Sequence, residues 1–375
     1  MKIIIGGDLV PTESNKELFV GADTSSLLGK KLLEIWQNAD LRIFNLETPL
    51  ADIKTPIKKA GPNLITSTSA AKGIKALNPS LISLANNHIM DHGNEGLKST
   101  QKILQEYEIP YIGVGKNLKD ASKAFIIEKD GKKVGIYACA EHEFSIATEE
   151  ESGANPFDPL ESLDHVRELK EKCECVIVLY HGGKEHYRYP TPLLQKTCRK
   201  LVAKGADIVI CQHSHCIGCF EEYESGTIIY GQGNFIFDDV DDEFWNNSLL
   251  INISLEDKVR VSYIPIEKNG AAIQVASDSE GAKILEDFNK RSAEILVKGA
   301  IEKKYSNFAK QMVVIYLSHL SGYGKWRYRI HRYLFRGKLL KRRYSKKTKQ
   351  LQNIIECEAH QELMLEGLKT LVNKQ

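Results

Sequence analysis

From the first residue to about position 270, short dense apolar runs alternate with longer stretches in which apolar residues recur every three or four positions. A short apolar run closed by turn-forming residues reads as a strand buried on both faces. A 3.6-residue recurrence reads as a helix with one face on a core. On that basis the chain predicts strands over 2–7, 41–46, 80–84, 111–114, 134–139, 176–180 and 207–211. Helices are expected over 25–38, where Leu28, Leu32, Ile35 and Trp36 fall near one face, and over 94–108, 160–172 and 192–204. Two further segments read as hairpins, 125–139 about Asp130-Gly131 and 220–230 about Ser225-Gly226, because a turn pair separates β-prone residues in each. Alternating strands and helices predict an α/β fold, a layered sandwich of sheet and helix.

Beyond about residue 279 the strand signal stops, and 284–300, 305–319 and 351–372 carry helical spacing. Two parts follow: an α/β domain over 1–270 and a helical C-terminal extension over 279–375. That division suits 375 residues, since a single core stops growing at roughly 250–300 residues. The extension contains a basic run, 325–349, in which Lys and Arg interleave with Trp326, Tyr328, Tyr333 and Phe335 and no acidic residue occurs. The whole chain is nearly neutral, with a formal net charge of +2, so any attraction to polyanions is local.

The apolar run behind Met1-Lys2 is far shorter than a secretory h-region, and no later stretch is apolar for the roughly 20 residues a bilayer requires. The sequence therefore predicts a cytoplasmic protein, with 325–349 as a candidate for peripheral contact at the inner face of the membrane. Eight cysteines accompany no export signal and lie in or beside apparent strands, which predicts reduced thiols. Cys216 and Cys219 form a Cys-x-x-Cys pair, a redox or half-zinc arrangement that lacks a second matching pair.

Asp8, Glu47, Asn86-Asn87-His88, His181 and His213-Ser214-His215 all fall just after a predicted strand ends. Ligands of α/β sheets bind at the carboxyl ends of strands, so these segments aim polar groups at one rim. A single histidine at a strand end is more often structural than ligating. Five segments together change that balance, because carboxylates, an amide and three imidazoles are the donor mixture of a two-metal hydrolytic site. Such donors suit two divalent ions, with Mn, Fe or Zn equally compatible.

These residues sit in motifs that resemble a known family. Gly7-Asp8, Asn45-Leu46-Glu47-Thr48-Pro49-Leu50, Ala85-Asn86-Asn87-His88-Ile89-Met90-Asp91-His92-Gly93, His181-Gly182-Gly183-Lys184-Glu185-His186, Gln212-His213-Ser214-His215 and Tyr230-Gly231-Gln232-Gly233-Asn234-Phe235 follow one another over about residues 1–265. In order and spacing they are similar to the CapA-like poly-γ-glutamate capsule biosynthesis branch of the calcineurin-like metallophosphoesterases. The resemblance implies a four-layer sandwich and two metals bridged by Glu47, with Asp8 and His215 on one and Asn87, His181 and His213 on the other. It further implies that His88 meets the phosphoryl group or leaving oxygen and that Asp91 orients it. One departure stands out: Val10 occupies the place of a superfamily histidine, and Glu141 or His142 is a candidate to fill the gap. Asn86, Glu185 and Asn234 are candidate substrate contacts, the last two equally readable as turn caps, while His92 and His186 read as solvent-facing or as supports behind the ligands.

By the same resemblance the expected function is metal-dependent hydrolysis in making or processing a capsule polymer, with a polymer or phosphoester as partner. The alternative is a non-catalytic accessory protein that binds polymer or scaffolds a synthetic complex. The basic run reads in three ways: a solvated helix with its aromatics on the main domain, a membrane-surface segment, or a polyanion site. No nucleic-acid motif accompanies it, so no specific nucleic-acid partner is expected.

Overall fold

The computed structural model describes residues 1–238, 242–335 and 337–372. The chain divides into two compact units, Met1–Ile301 and Glu302–Gln375.

In the first unit the predicted strands assemble into two main sheets. The larger has the order Ala272–Val275, Val259–Asn269, Asn247–Leu255, Lys2–Val10, Leu41–Leu46, Leu81–Ser83, Tyr111–Ile112, and Asn234–Phe237 pairs with the far end of Lys2–Val10. The other runs Phe220–Tyr223, Gly226–Ile229, Ile208–Gln212, Cys175–His181, Lys132–Ala140, Phe125–Lys129. Strand period two decides which residues face where. Ile3, Ile5 and Ile43 of the first sheet and Val134, Ile136, Ile177, Leu179, Ile208 and Ile210 of the second share one core. Their neighbours point outward: Ile4 and Phe44 join Phe19, Leu28, Leu32 and Trp36, while Tyr137, Val176, Val178 and Val209 join Val166, Leu194, Cys198 and Leu201. Helix, sheet, sheet and helix thus form four layers, the layered α/β sandwich expected.

Local chemistry explains the element ends. Asp23 accepts from the Ser26 amide to start the Thr24–Gln37 helix, and Thr191 accepts from Leu194 ahead of Pro192 in the Pro192–Ala203 helix. Asp130 and Gly131 both take left-handed φ (53° and 73°), the geometry of a type I′ hairpin turn. The second hairpin turns one residue earlier than expected: Glu224 takes the left-handed φ and Gly226 already belongs to the returning strand. Five strands were not anticipated individually, Gly153–Ala154, Asn234–Phe237, Asn247–Leu255, Val259–Asn269 and Ala272–Val275.

The Asp278–Ile295 helix, expected within the extension, lies in the first unit. Phe288 packs between Phe220 and Tyr263 at ring distances of 5.1 and 4.8 Å, and Ile284 joins the same core. The second unit is helical: the Ala300–Leu320 helix, whose first two residues belong to the first unit, is followed by Lys325–Tyr333, Lys338–Ser345, Thr348–Glu356 and Glu358–Val372. The helix expected over 351–372 is two, broken at Cys357, whose extended backbone (ψ 116°) ends the first. Of the basic run, Arg336 and the side chains of Lys325, Tyr328 and Arg332 lie outside the described residues. No helix among the described residues is long and apolar enough to cross a membrane.

Candidate metal centre

Register brings the rim together. Asp8 lies opposite Asn45 on one side and Asn234 on the other, and His181 lies opposite both Ala140 and Gln212. The carboxyl ends of both parallel strand sets therefore meet at one place. Close packing enforces it: a Cβ on Gly7 would stand 2.0 Å from the Gly233 carbonyl oxygen, so only glycine lets the two strands approach beside Asp8.

Four donor atoms crowd one point. The Nε2 of His181 lies 3.0 Å from Asn87 Oδ1, 3.2 Å from His213 Nδ1 and 3.2 Å from Glu47 Oε1. Donors at about 2.1 Å from a tetrahedral ion stand roughly 3.4 Å apart, so this spacing suits a shared cation. The ligating atoms fall into two groups, Glu47 with His181 and His213, and Glu47 with Asp8 and His215, each within 4.8 Å. Glu47 belongs to both. All these side chains are buried, and both Glu47 carboxylate oxygens lack a hydrogen-bond partner. A buried carboxylate without partners is costly unless a cation meets it. The donor set thus fits divalent metal.

Electrostatics point the same way. Burial, with the Asp8 charge next, pushes the Glu47 carboxyl up to about 8. Burial holds His181 below its ordinary value and His213 well below, so both imidazoles are neutral and carry a lone pair. Asp8 is held by Asn45 Nδ2 at 2.8 Å and the His213 amide at 3.2 Å. His215 donates from Nδ1 to Asn234 Oδ1 at 2.9 Å, which leaves its Nε2 as the lone-pair atom. His213 and His215 both take left-handed φ (80° and 54°), a strained conformation for residues with a Cβ. Such strain is held where surrounding structure demands a particular side-chain direction.

Beside this cluster, His88 Nδ1 donates to Asp91 Oδ2 at 2.6 Å, which leaves His88 Nε2 facing away from the carboxylate. The Asp91 side chain is fully buried, accepts from the Leu64 amide at 2.6 Å and is ion-paired with Lys59, whose side chain is 2% exposed. Lys59 was not singled out from the sequence; it lies in the irregular 51–66 stretch beside Lys58, and spacing gives no sign of which lysine turns inward. The remaining expected residues are placed as follows. Asn86 is fully buried and gives its amide to Asn45 Oδ1 and the Leu46 carbonyl, so it ties the loop down. Ser145 donates to the Asn87 carbonyl at 2.6 Å, and Asn87 Nδ2 reaches Glu143 at 3.2 Å. Asn234 Nδ2 is buried without a partner, and Glu185 is exposed at the rim.

Glu141 and His142 belong to neither donor group: the Gly183 amide holds the Glu141 carboxylate, and His142 is exposed. Val10 instead packs with Phe237 and Trp245, and Trp245 stacks on His215 at 4.8 Å. His92 is buried and accepts from the Thr55 amide at 2.7 Å, whereas His186 is exposed, stacks on Phe244 and accepts from Trp245 Nε1. Cys216 and Cys219 are buried, and burial raises both thiols, Cys216 to about 11, which keeps them protonated and apolar.

The fold and site define a layered α/β protein with a buried carboxylate and imidazole cluster able to hold divalent cations at its strand ends. The chain belongs to the bacterial capsule synthesis protein PGA_cap family, whose model matches residues 2–239. It is 31% identical over 211 residues to the capsule biosynthesis protein CapA of Bacillus anthracis, covering 54% of this chain and 51% of that one. It is 29% identical over 209 residues to the PGA biosynthesis protein CapA of Bacillus subtilis (strain 168), covering 54% and 55%. A probable polyglutamine synthesis accessory protein of Mycobacterium tuberculosis (strain CDC 1551 / Oshkosh) is 25% identical over 218 residues, covering 53% and 56%. The chain thus spans about half the length of the curated relatives it matches. Among solved structures, a hypothetical protein from Thermus thermophilus aligns over 72% of this chain and 100% of its own, with 16% identity and a TM-score of 0.48. A putative 5′-nucleotidase from Staphylococcus aureus aligns over 77% and 58%, with 14% identity and a TM-score of 0.42.

Proposed function

We propose that this chain is a metal-dependent hydrolase of the phosphoesterase type that acts in making or trimming a capsule or exopolymer of the poly-γ-glutamate kind. The observation that carries the reading is Glu47, buried, with no hydrogen-bond partner on either carboxylate oxygen and common to both donor groups. Asp8, His215 and Glu47 would hold one divalent ion; Glu47, Asn87, His181 and His213 would hold a second. Such ions, when bound, lower the pKa of water and offset charge developing on a phosphoryl oxygen. Asp91 accepts from His88 Nδ1 and so turns Nε2 away from itself, and Nε2 is the atom from which the protonated ring would give a proton to the leaving oxygen. Asp91 is a positioning residue, with Lys59 and the Leu64 amide fixing its carboxylate in turn. The polymer class rests on the names of the Bacillus relatives.

Val10 favours a second reading. It sets an apolar wall of Phe237 and Trp245 beside Asp8, so His215 is the one imidazole in the Asp8 group, and a site with fewer donors can serve binding rather than turnover. That reading is an accessory protein that grips polymer through its metal. Turnover of bis-p-nitrophenyl phosphate by the manganese-loaded chain separates the two. The hydrolase reading expects turnover that chelation abolishes and that His88→Asn lowers by about 10²–10⁴-fold. Bound metal with no turnover of this ester or of a γ-glutamyl peptide supports the accessory role.

A further inference from the structure

The near-neutral total charge conceals two opposed parts. Residues 1–301 carry 34 Lys and Arg against 44 Asp and Glu, while 302–375 carry 17 against 5. Residues 303–355 hold 15 Lys and Arg and no acidic residue at all. Within that stretch large apolar side chains stand in water: Trp326 is 78% exposed and Leu334 74%, and Ile330, Tyr333, Phe335 and Leu339 are exposed as well.

Their arrangement is helical. Trp326 and Ile330 stand at i and i+4 of the Lys325–Tyr333 helix, with Leu334 one further turn along at its C-cap, and so they share a face. Arg327 and Arg329 flank that face, with the Arg329 guanidinium 5.9 Å from the Trp326 ring. Packing contacts are made elsewhere on the segment, where His331 meets Tyr323 at 4.9 Å and Phe335 at 5.8 Å. The face of Trp326, Ile330 and Leu334 is therefore left open to solvent after the helix has packed. A soluble polyanion would meet the cations and leave Trp326 and Leu334 in water. A lipid interface takes up both, since aromatic and aliphatic groups enter the headgroup boundary while Lys and Arg reach anionic headgroups.

We infer that the second unit docks on an anionic lipid surface, with the 325–339 segment lying in the interface plane. It lies on the bilayer, because no helix among the described residues has the length and apolarity to cross it. The inference is independent of the hydrolase reading.

The intact chain carries its own probe. Trp36 and Trp245 are 1% and 9% exposed against 78% for Trp326, so a change in tryptophan emission on adding vesicles reports Trp326. Vesicles of phosphatidylcholine with one-third phosphatidylglycerol are expected to shift the emission to the blue and to sediment the protein. Phosphatidylcholine alone is expected to do neither, and raising salt is expected to weaken binding. A Trp326→Ala, Leu334→Ala variant with unchanged circular dichroism is expected to partition at least about tenfold less. The inference is overturned by unchanged wild-type emission on anionic vesicles, or by a folded variant that sediments like wild type. Binding to soluble polyglutamate without any vesicle-induced shift would overturn it in favour of a polyanion site.

Discussion

Glu47 gives the account a quantitative handle. In the chelated protein its carboxyl is pushed from 4.5 to about 8, chiefly by burial. An acid whose folded pKa is raised binds more protons when folded than when unfolded, so stability falls as pH rises between the two values. The contribution is fully present below about 4.5 and lost by about 8. At about 1.4 kcal/mol per unit the loss approaches 5 kcal/mol. His181 and His213, held neutral by burial, act oppositely: they reduce stability below their ordinary value of 6.5. The useful quantity is therefore the difference between wild type and Glu47→Gln, whose amide does not titrate. Urea denaturation in EDTA at pH 5, 6, 7 and 8 should show the variant gaining on wild type with each unit, by several kcal/mol in all. With saturating manganese the order reverses, because the cation binds the ionised carboxylate and stabilises the folded wild type. A difference in EDTA that does not change with pH would refute the claim that the Glu47 carboxylate is buried without a hydrogen-bond partner.

Two further substitutions probe the support of the site. Lys59→Met leaves the fully buried Asp91 without its ion pair and should destabilise by about 3 kcal/mol, with part of the loss recovered in the Lys59→Met, Asp91→Asn double variant, as read by urea denaturation. Gly7→Ala drives a Cβ onto the Gly233 carbonyl and should cost about 3 kcal/mol or destroy the fold, since backbone on both sides has no room to yield; a thermal melt like that of wild type would contradict the strand approach described.

Much of the site was legible because strand ends are easy to read: a polar residue directly after a buried apolar run marks the rim, as Glu47 follows Leu46 and His181 follows Tyr180. Both hairpins showed for a similar reason, since Asp130-Gly131 and Gly226 interrupt β-prone residues. Contacts distant in sequence were not legible. Nothing in the spacing of Lys59 marks it as the partner of Asp91, and Trp245 gives no sign that its ring will stack on His215. The strand Val259–Asn269 alternates but carries Pro265 and exposed residues at its start, which blurs the signal of a buried strand. The Asp278–Ile295 helix has the same period as the helices after it. Its membership in the first unit is decided by the aromatic partners of Phe288, which period does not encode.

The sharpest test is an anomalous difference map from crystals of the full chain grown with manganese. The account predicts density beside the Glu47 carboxylate, within bonding reach of His181 and His213 and, for a second ion, of Asp8 and His215. Crystals that diffract well and show no anomalous peak near Glu47, or a peak elsewhere with these side chains arranged as described, would contradict it.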